Sequence, residues 1–165
     1  MNALSPPLTA RQMLLSQILK AIRVRRGLRS SEAARAMGMP LRSYQHFESA
    51  RGREDVPTIH AFADAVNADG HAIMLALEMR SADFALACLD NKLTSVMVLA
   101  VERFYRKAGQ EIARIDPRSV ISAFEQAFAA LTAKLQEDDA YVERWMTDPA
   151  LGGAPSDPDD DPEVA

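Results

Sequence analysis

"IRVRRGLRSSEAARAMGMPLRSYQHFESARG", residues 22–52, sets two glycines and a proline between short amphipathic runs. Gly27 stands where a glycine in the left-handed region ends a preceding helix. A short helix over about 31–37 then places Ala33, Ala34 and Met37 on one side, with Gly38 closing it. Met39 and Pro40 make a turn, because proline suits the first position of the next helix and disfavours helix in the residue before it. That next helix, over 40–50, puts the aromatics Tyr44 and Phe47 on one face and leaves Leu41, Arg42, Gln45 and His46 to point elsewhere. Short helix, glycine turn and second helix make the helix-turn-helix unit, whose second helix enters the major groove of DNA. Ala34 is small where the two helices must cross, and Gly38 accepts a turn that a β-carbon resists.

On either side the periodicity stays helical. Residues 1–9, with Pro6 and Pro7, read as a flexible arm, and Thr9 reads as the N-cap of a helix carrying Leu14, Leu15, Ile18 and Ile22 on one face. "RGREDVP" is a polar loop. Thr58 then reads as the N-cap of a helix burying Ile59, Phe62 and Val66, with Gly70 at its end, and "HAIMLALEM" as a further apolar helix. Ser81 or Asp83 can start a helix that packs Phe84, Leu86 and Leu89, continuing into "NKLTSVMVLAVERFYRKAG" with Leu93, Val96, Met97, Ala100 and Phe104 on one face. "DPRS" starts another, Asp116 as cap and Pro117 first, with Ile121, Phe124, Phe128, Leu131 and Leu135 in series. Tyr141 and Trp145 suggest a last short helix. No alternating β pattern occurs, so the expectation is an all-α chain ending in a disordered Pro/Gly/Asp-rich acidic tail at 148–165.

Charge is segregated. The net charge of −4 conceals a stretch, residues 11–53, with ten Lys/Arg against only Glu32 and Glu48. Residues 1–80 sum to +4 and residues 81–165 to −8. Such asymmetry points to a nucleic-acid or membrane partner. No apolar run approaches the roughly 18 residues of a membrane span. The lone Cys88 excludes an internal disulfide, suits a reducing cytoplasm, and reads as a core residue in its apolar surroundings. His60 and His71 have no second ligand at metal spacing. No phosphate loop, nucleophile elbow or carboxylate pair is evident, so the expectation is a non-enzyme without metal or cofactor.

From about Gln12 to Leu77 the chain resembles the Cro/cI repressor (XRE) family of five-helix DNA-binding domains. Arg23, Gly27, Leu28, Ala34, Gly38 and Glu48 carry the likeness, followed by Pro57 at the start of the fourth helix, and "LRSYQHFE" is similar to the recognition helix of one branch. The resemblance implies that Leu41, Arg42, Ser43 and His46 reach base edges. It implies that Ser30, Ser31, Gln45, Arg51 and Arg53 contact the DNA backbone, with the cap of the second helix moved to Ser30. It also implies that Arg23 pairs with Glu48, tying the first helix to the third. The expected layout is a lambda-repressor-like DNA-binding domain at 10–80, a helical dimerisation or partner domain at 81–147 and the tail. The expected activity is sequence-specific regulation of transcription from double-stranded DNA by a cytoplasmic homodimer, repression favoured over activation, with RNA polymerase a possible partner. The alternative is an antitoxin-like or co-activator module whose main partner is another protein.

Overall fold

The structure is a computed structural model that describes residues 8–51 and 54–147, the side chains of 141, 142 and 144–147 excepted. Every regular element among them is helical: α1 (Ala10–Arg25), α2 (Ser30–Ala36), α3 (Leu41–Glu48), α4 (Val56–Ala65), α5 (Gly70–Met79), α6 (Ala82–Ala87), α7 (Leu93–Ala108), a 3-10 segment (Gly109–Arg114) and α8 (Pro117–Thr147). The expected all-α architecture is therefore found. Most of the N-terminal arm, Arg53, the acidic tail and the side chains of Tyr141 and Trp145 lie outside the described residues.

The chain divides into two compact units, Met1–Gly109 and Gln110–Ala165. This corrects the boundary expected after residue 80. The reason is burial: Ala85 and Leu89, on and just after α6, belong to the same apolar core as Ile18, Leu19 and Ile22 of α1 and Ile73, Ala76 and Leu77 of α5. Ile59 and Phe62 of α4 and Tyr44 of α3 complete its centre. Tyr44, Phe47 and Phe62 form a triangle with centroids 5.9–6.4 Å apart and tilted planes, an arrangement aromatic quadrupoles favour.

Helix ends follow local chemistry. Thr9 caps α1 in a reciprocal box with Gln12, as its sequence implies. After α1 the Leu28 N–H donates to the Arg23 carbonyl and the Gly27 N–H to that of Val24, with Gly27 at φ +68°. After α2 the same pattern recurs at Gly38, φ +65°, with Met39 donating to Ala34. These are Schellman closures, and their glycines hold the left-handed conformation without penalty.

Other boundaries differ from expectation. Pro40 is the N-cap of α3, with ψ 143°, rather than its first helical residue. Asp55, not Thr58, caps α4: its carboxylate accepts from the Thr58 N–H at 3.1 Å and from the Thr58 hydroxyl. α4 closes through Asn67 at φ +55°, and Gly70 opens α5 instead of ending α4. A Cβ on Gly70 would stand 2.5 Å from His60 Nδ1, so the glycine lets α4 and α5 approach. α6 and α7 are separate helices, broken before Lys92 at φ +54°. α8 runs unbroken through the position expected for a last short helix.

In the second unit α8 presents Ile121, Phe124, Phe128, Leu131 and Leu135 exposed along its length, Phe124 and Phe128 stacked at 6.2 Å. In the first unit Val96, Leu99, Val101, Phe104 and Tyr105 of α7 are also exposed, while Thr94 is buried and Leu93, Met97 and Val98 are half-buried, so only part of the face read there is covered.

Candidate nucleic-acid interface

α3 is held to the core by three of its eight residues. Tyr44 and Glu48 are buried and Phe47 is half-buried. At about 100° of rotation per residue, these cover one side of the helix and leave the other to Arg42 and His46, four apart. Leu41, Arg42, Ser43, Gln45 and His46 are all exposed. The structure thus gathers the four expected base-reading residues, with Gln45, on the open surface of one helix.

The clamp behind that helix is ionic. Arg23 Nε donates to Glu48 Oε1 at 2.6 Å and a second guanidinium nitrogen to Oε2 at 3.4 Å, so the fork meets both carboxylate oxygens. The third guanidinium nitrogen donates to the Leu28 carbonyl at 2.9 Å, and the Tyr44 hydroxyl donates to Glu48 Oε1 at 3.0 Å. The hydrogen bond to Glu48 raises the Arg23 pKa further above its ordinary value, and burial raises that of the Tyr44 phenol. Arg23 remains a cation and Tyr44 a neutral donor at any pH the fold meets. Arg23 is therefore occupied inside the protein, as the resemblance implies.

Other basic residues of the stretch are also committed. Arg11 bonds Glu54 at 2.7 Å and Glu78 at 3.0 Å, tying the start of α1 to the loop before α4 and to α5. Arg26 donates to the carbonyls of Val66 at 3.0 Å and Asn67 at 2.6 Å, and pairs with Asp90 at 2.7 Å. Arg29 pairs with Glu32 at 3.4 Å. Among the described residues Lys20, Arg25, Arg35, Arg42 and Arg51 make no ion pair, and Arg42 lies exposed in the first turn of α3. Two acidic residues stand nearby, lining a cleft of about 200 Å³ with Ser43 and His46. Both are engaged: Asp55 as a helix cap and Glu54 by Arg11, whose hydrogen bond holds its carboxyl below the usual range.

The residues expected on phosphates differ in exposure. Ser31, Gln45 and Arg51 are exposed and Ser30 is partly so. The expected cap at Ser30 is corrected: Arg29 is the N-cap, and its backbone N–H donates to the Glu32 carboxylate at 2.7 Å. Ser30 and Ser31 are consequently the first two helical residues, whose N–H groups have no intrahelical acceptor. The cap moves because Glu32, three residues on, completes the charged half of a capping box that Arg29 needs no side-chain oxygen to join. Arg53 lies outside the described residues.

One group went unread in the sequence. Asp69 is buried, accepts from the Ala72 N–H at 3.0 Å to cap α5, and accepts from the N–H groups of Thr94 and Ser95 at 3.0 Å and the Ser95 hydroxyl at 2.7 Å. A single carboxylate caps α5 and meets the first turn of α7. An Asp immediately before an apolar helical run was the available signal.

A short helix held by a left-handed glycine turn against a second, whose outer face is polar and cationic, defines the DNA-binding helix-turn-helix class. The comparison with known families agrees: residues 14–74 match the family described as "Helix-turn-helix domain", and that part of the chain is such a domain, consistent with the Cro/cI-type reading. No curated protein and no solved structure matches the chain. Among the described residues no helix is long and apolar enough to cross a membrane, and no cluster of metal-ligating side chains occurs.

Proposed function

We propose that this protein is a sequence-specific transcriptional regulator, acting in the cytoplasm and without catalysis of its own, that reads the major groove of double-stranded DNA with α3. The observation that carries the reading is the unpaired Arg42 beside His46 on a helix fastened from behind by Arg23, Glu48 and Tyr44. A guanidinium fork matches the O6 and N7 acceptors of guanine, and rigid presentation turns that match into discrimination. Leu41, Ser43 and His46 supply the neighbouring base contacts, while Ser30, Ser31, Gln45, Arg51 and Arg53 supply phosphate contacts. Two copies joined through the C-terminal helices engage half-sites about 34 Å apart. Repression is the simplest outcome, by occupation of promoter DNA.

Selection of binding sites from random duplexes tests this. The protein enriches a two-fold symmetric motif, with affinity that falls steeply as salt rises. Arg42→Ala lowers affinity by about 1–3 kcal/mol and relaxes one position of each half-site. A variant that keeps both affinity and site preference removes α3 from the reading role.

The exposed apolar side chains of α7, among them Val101, Phe104 and Tyr105, favour a second reading. In it the main partner is another protein, as for an antitoxin-like or co-activator module, or RNA polymerase is recruited. Co-purification of a stoichiometric partner, with no preferred DNA site enriched, would establish that reading instead.

A further inference from the structure

α8 is a 31-residue helix whose large apolar side chains recur at alternating spacings of three and four: Ile121, Phe124, Phe128, Leu131, Leu135. That is a period of 3.5, the mark of a coiled-coil seam, and a helix of 3.6 residues per turn keeps such a seam facing a partner only by supercoiling around it. With Ile121 at position a, Phe128 and Leu135 are also a, Phe124 and Leu131 are d, and the next d is Asp138. All five apolar residues are exposed, Leu135 to 66%. We propose that α8 pairs in antiparallel orientation with α8 of a second copy of this chain, the two-fold axis passing between Phe128 and Leu131.

Charge decides the orientation. α8 carries Arg118 in its first turn and Glu137, Asp138 and Asp139 toward its other end. Parallel pairing sets these acidic clusters side by side and brings Asp138 against its own counterpart in the seam, two like charges at one layer for which each helix supplies only the exposed Lys134, 3.0 Å away. Antiparallel pairing separates them and places Asp138 at the end of the seam, opposite Ile121. It also brings Arg118 beside Asp139 of the second copy. Both occupy position e, and e faces e across an antiparallel pair. Both are exposed, and neither has an ion-pair partner among the described residues. The opposed helix dipoles act in the same direction. Layers of Phe124 with Leu135, and of Phe128 with Leu131, then fill a seam about 20 Å long, from the 1.5 Å rise per residue.

This deepens the dimeric reading above and rests on it only for the existence of a dimer. The full chain without DNA is the sample, and Phe128, Leu131, Arg118 and Asp139 are exposed, so their replacement does not touch a core. Sedimentation shows a dimer at micromolar concentration, and Phe128→Asp with Leu131→Asp makes it a monomer. Arg118→Glu or Asp139→Arg alone weakens dimerisation about tenfold, since two equivalent pairs become repulsions. The double variant Arg118→Glu with Asp139→Arg restores it, a rescue that parallel pairing does not provide. A nitroxide on Ser119→Cys, with Cys88→Ala to remove the native thiol, reports a separation of about 30 Å for antiparallel helices and about 10–15 Å for parallel ones. The shorter distance, or failure of the double variant to recover, overturns the orientation. A dimer untouched by the Phe128 and Leu131 changes overturns α8 as the surface while leaving dimerisation intact. A monomeric wild type overturns the pairing altogether, and the DNA-site selection then judges α3 separately.

Discussion

Glu48 is where α3 meets the interior. Its carboxylate takes two guanidinium donors from Arg23 and the hydroxyl of Tyr44, all within hydrogen-bonding distance, while its side chain is only 7% exposed. Removing one partner leaves the other charge buried and unmatched. Arg23→Ala or Glu48→Ala therefore lowers stability by about 3–5 kcal/mol, whereas Arg23→Met with Glu48→Leu loses less than the two single changes together. Urea unfolding of the four proteins measures both statements. Arg23 and Glu48 were paired on resemblance alone. The hydroxyl of Tyr44 was not, because its partner depends on how deeply the ring sits between Phe47 and Phe62. Gly70 was placed at the wrong helix end for a similar reason: its requirement comes from the ring of His60, a neighbour invisible to local spacing.

At the scale of elements, caps decide where helices begin and Asp69 decides which helices belong together. Three backbone N–H groups and the Ser95 hydroxyl converge on it. Burial disfavours its charge, but the donors from Ser95, Ala72 and Thr94 together outweigh that and hold its pKa below the ordinary value. Asp69→Ala is expected to cost about 2–4 kcal/mol, a lost cap plus an orphaned buried N–H. Because the folded-state pKa is depressed, this stabilisation is complete above the unfolded value near 3.8 and is lost as pH falls from there through the lower folded value. In acid titrations followed by circular dichroism, the gap in stability between wild type and Asp69→Ala narrows over that window. Helix existence was legible from apolar spacing throughout α1–α5. The caps at Arg29, Pro40 and Asp55 were not, because several residues near each start could serve and the choice falls to the donor geometry of the first turn.

For the molecule as a whole, the consequential correction is that the first compact unit reaches Gly109. Ala85, Cys88 and Leu89 are buried, and Arg26 reaches from the end of α1 to Asp90 beyond α6. A chain cut after residue 80 loses these side chains and both α7 donors of Asp69. Its melting temperature is expected to fall by about 10 °C or more relative to a chain cut after residue 109, as judged from buried apolar side chains and the usual size of unfolding entropies. Equal melting curves would show that α6 and α7 add nothing to the DNA-binding unit. Charge is segregated at this scale as well. The basic excess lies within residues 11–53 and the acidic excess after residue 80. Ion pairs at Arg11, Arg23, Arg26 and Arg29 take up much of the former, leaving Arg42 and Arg51 among the exposed cations around α3.

By itself the sequence determined the helical class, the helix-turn-helix, and which face of α3 is polar. These follow from spacings within single helices and from glycines that only a left-handed turn requires, so neighbours in the chain are enough to reveal them. Tertiary structure alone decided that α6 and the start of α7 complete the first unit, that Asp69 joins α5 to α7, and which arginines remain open. Those outcomes depend on partners some 25 to 65 residues apart in the chain, whose meeting is set by packing and by the demand that buried polar groups be paired.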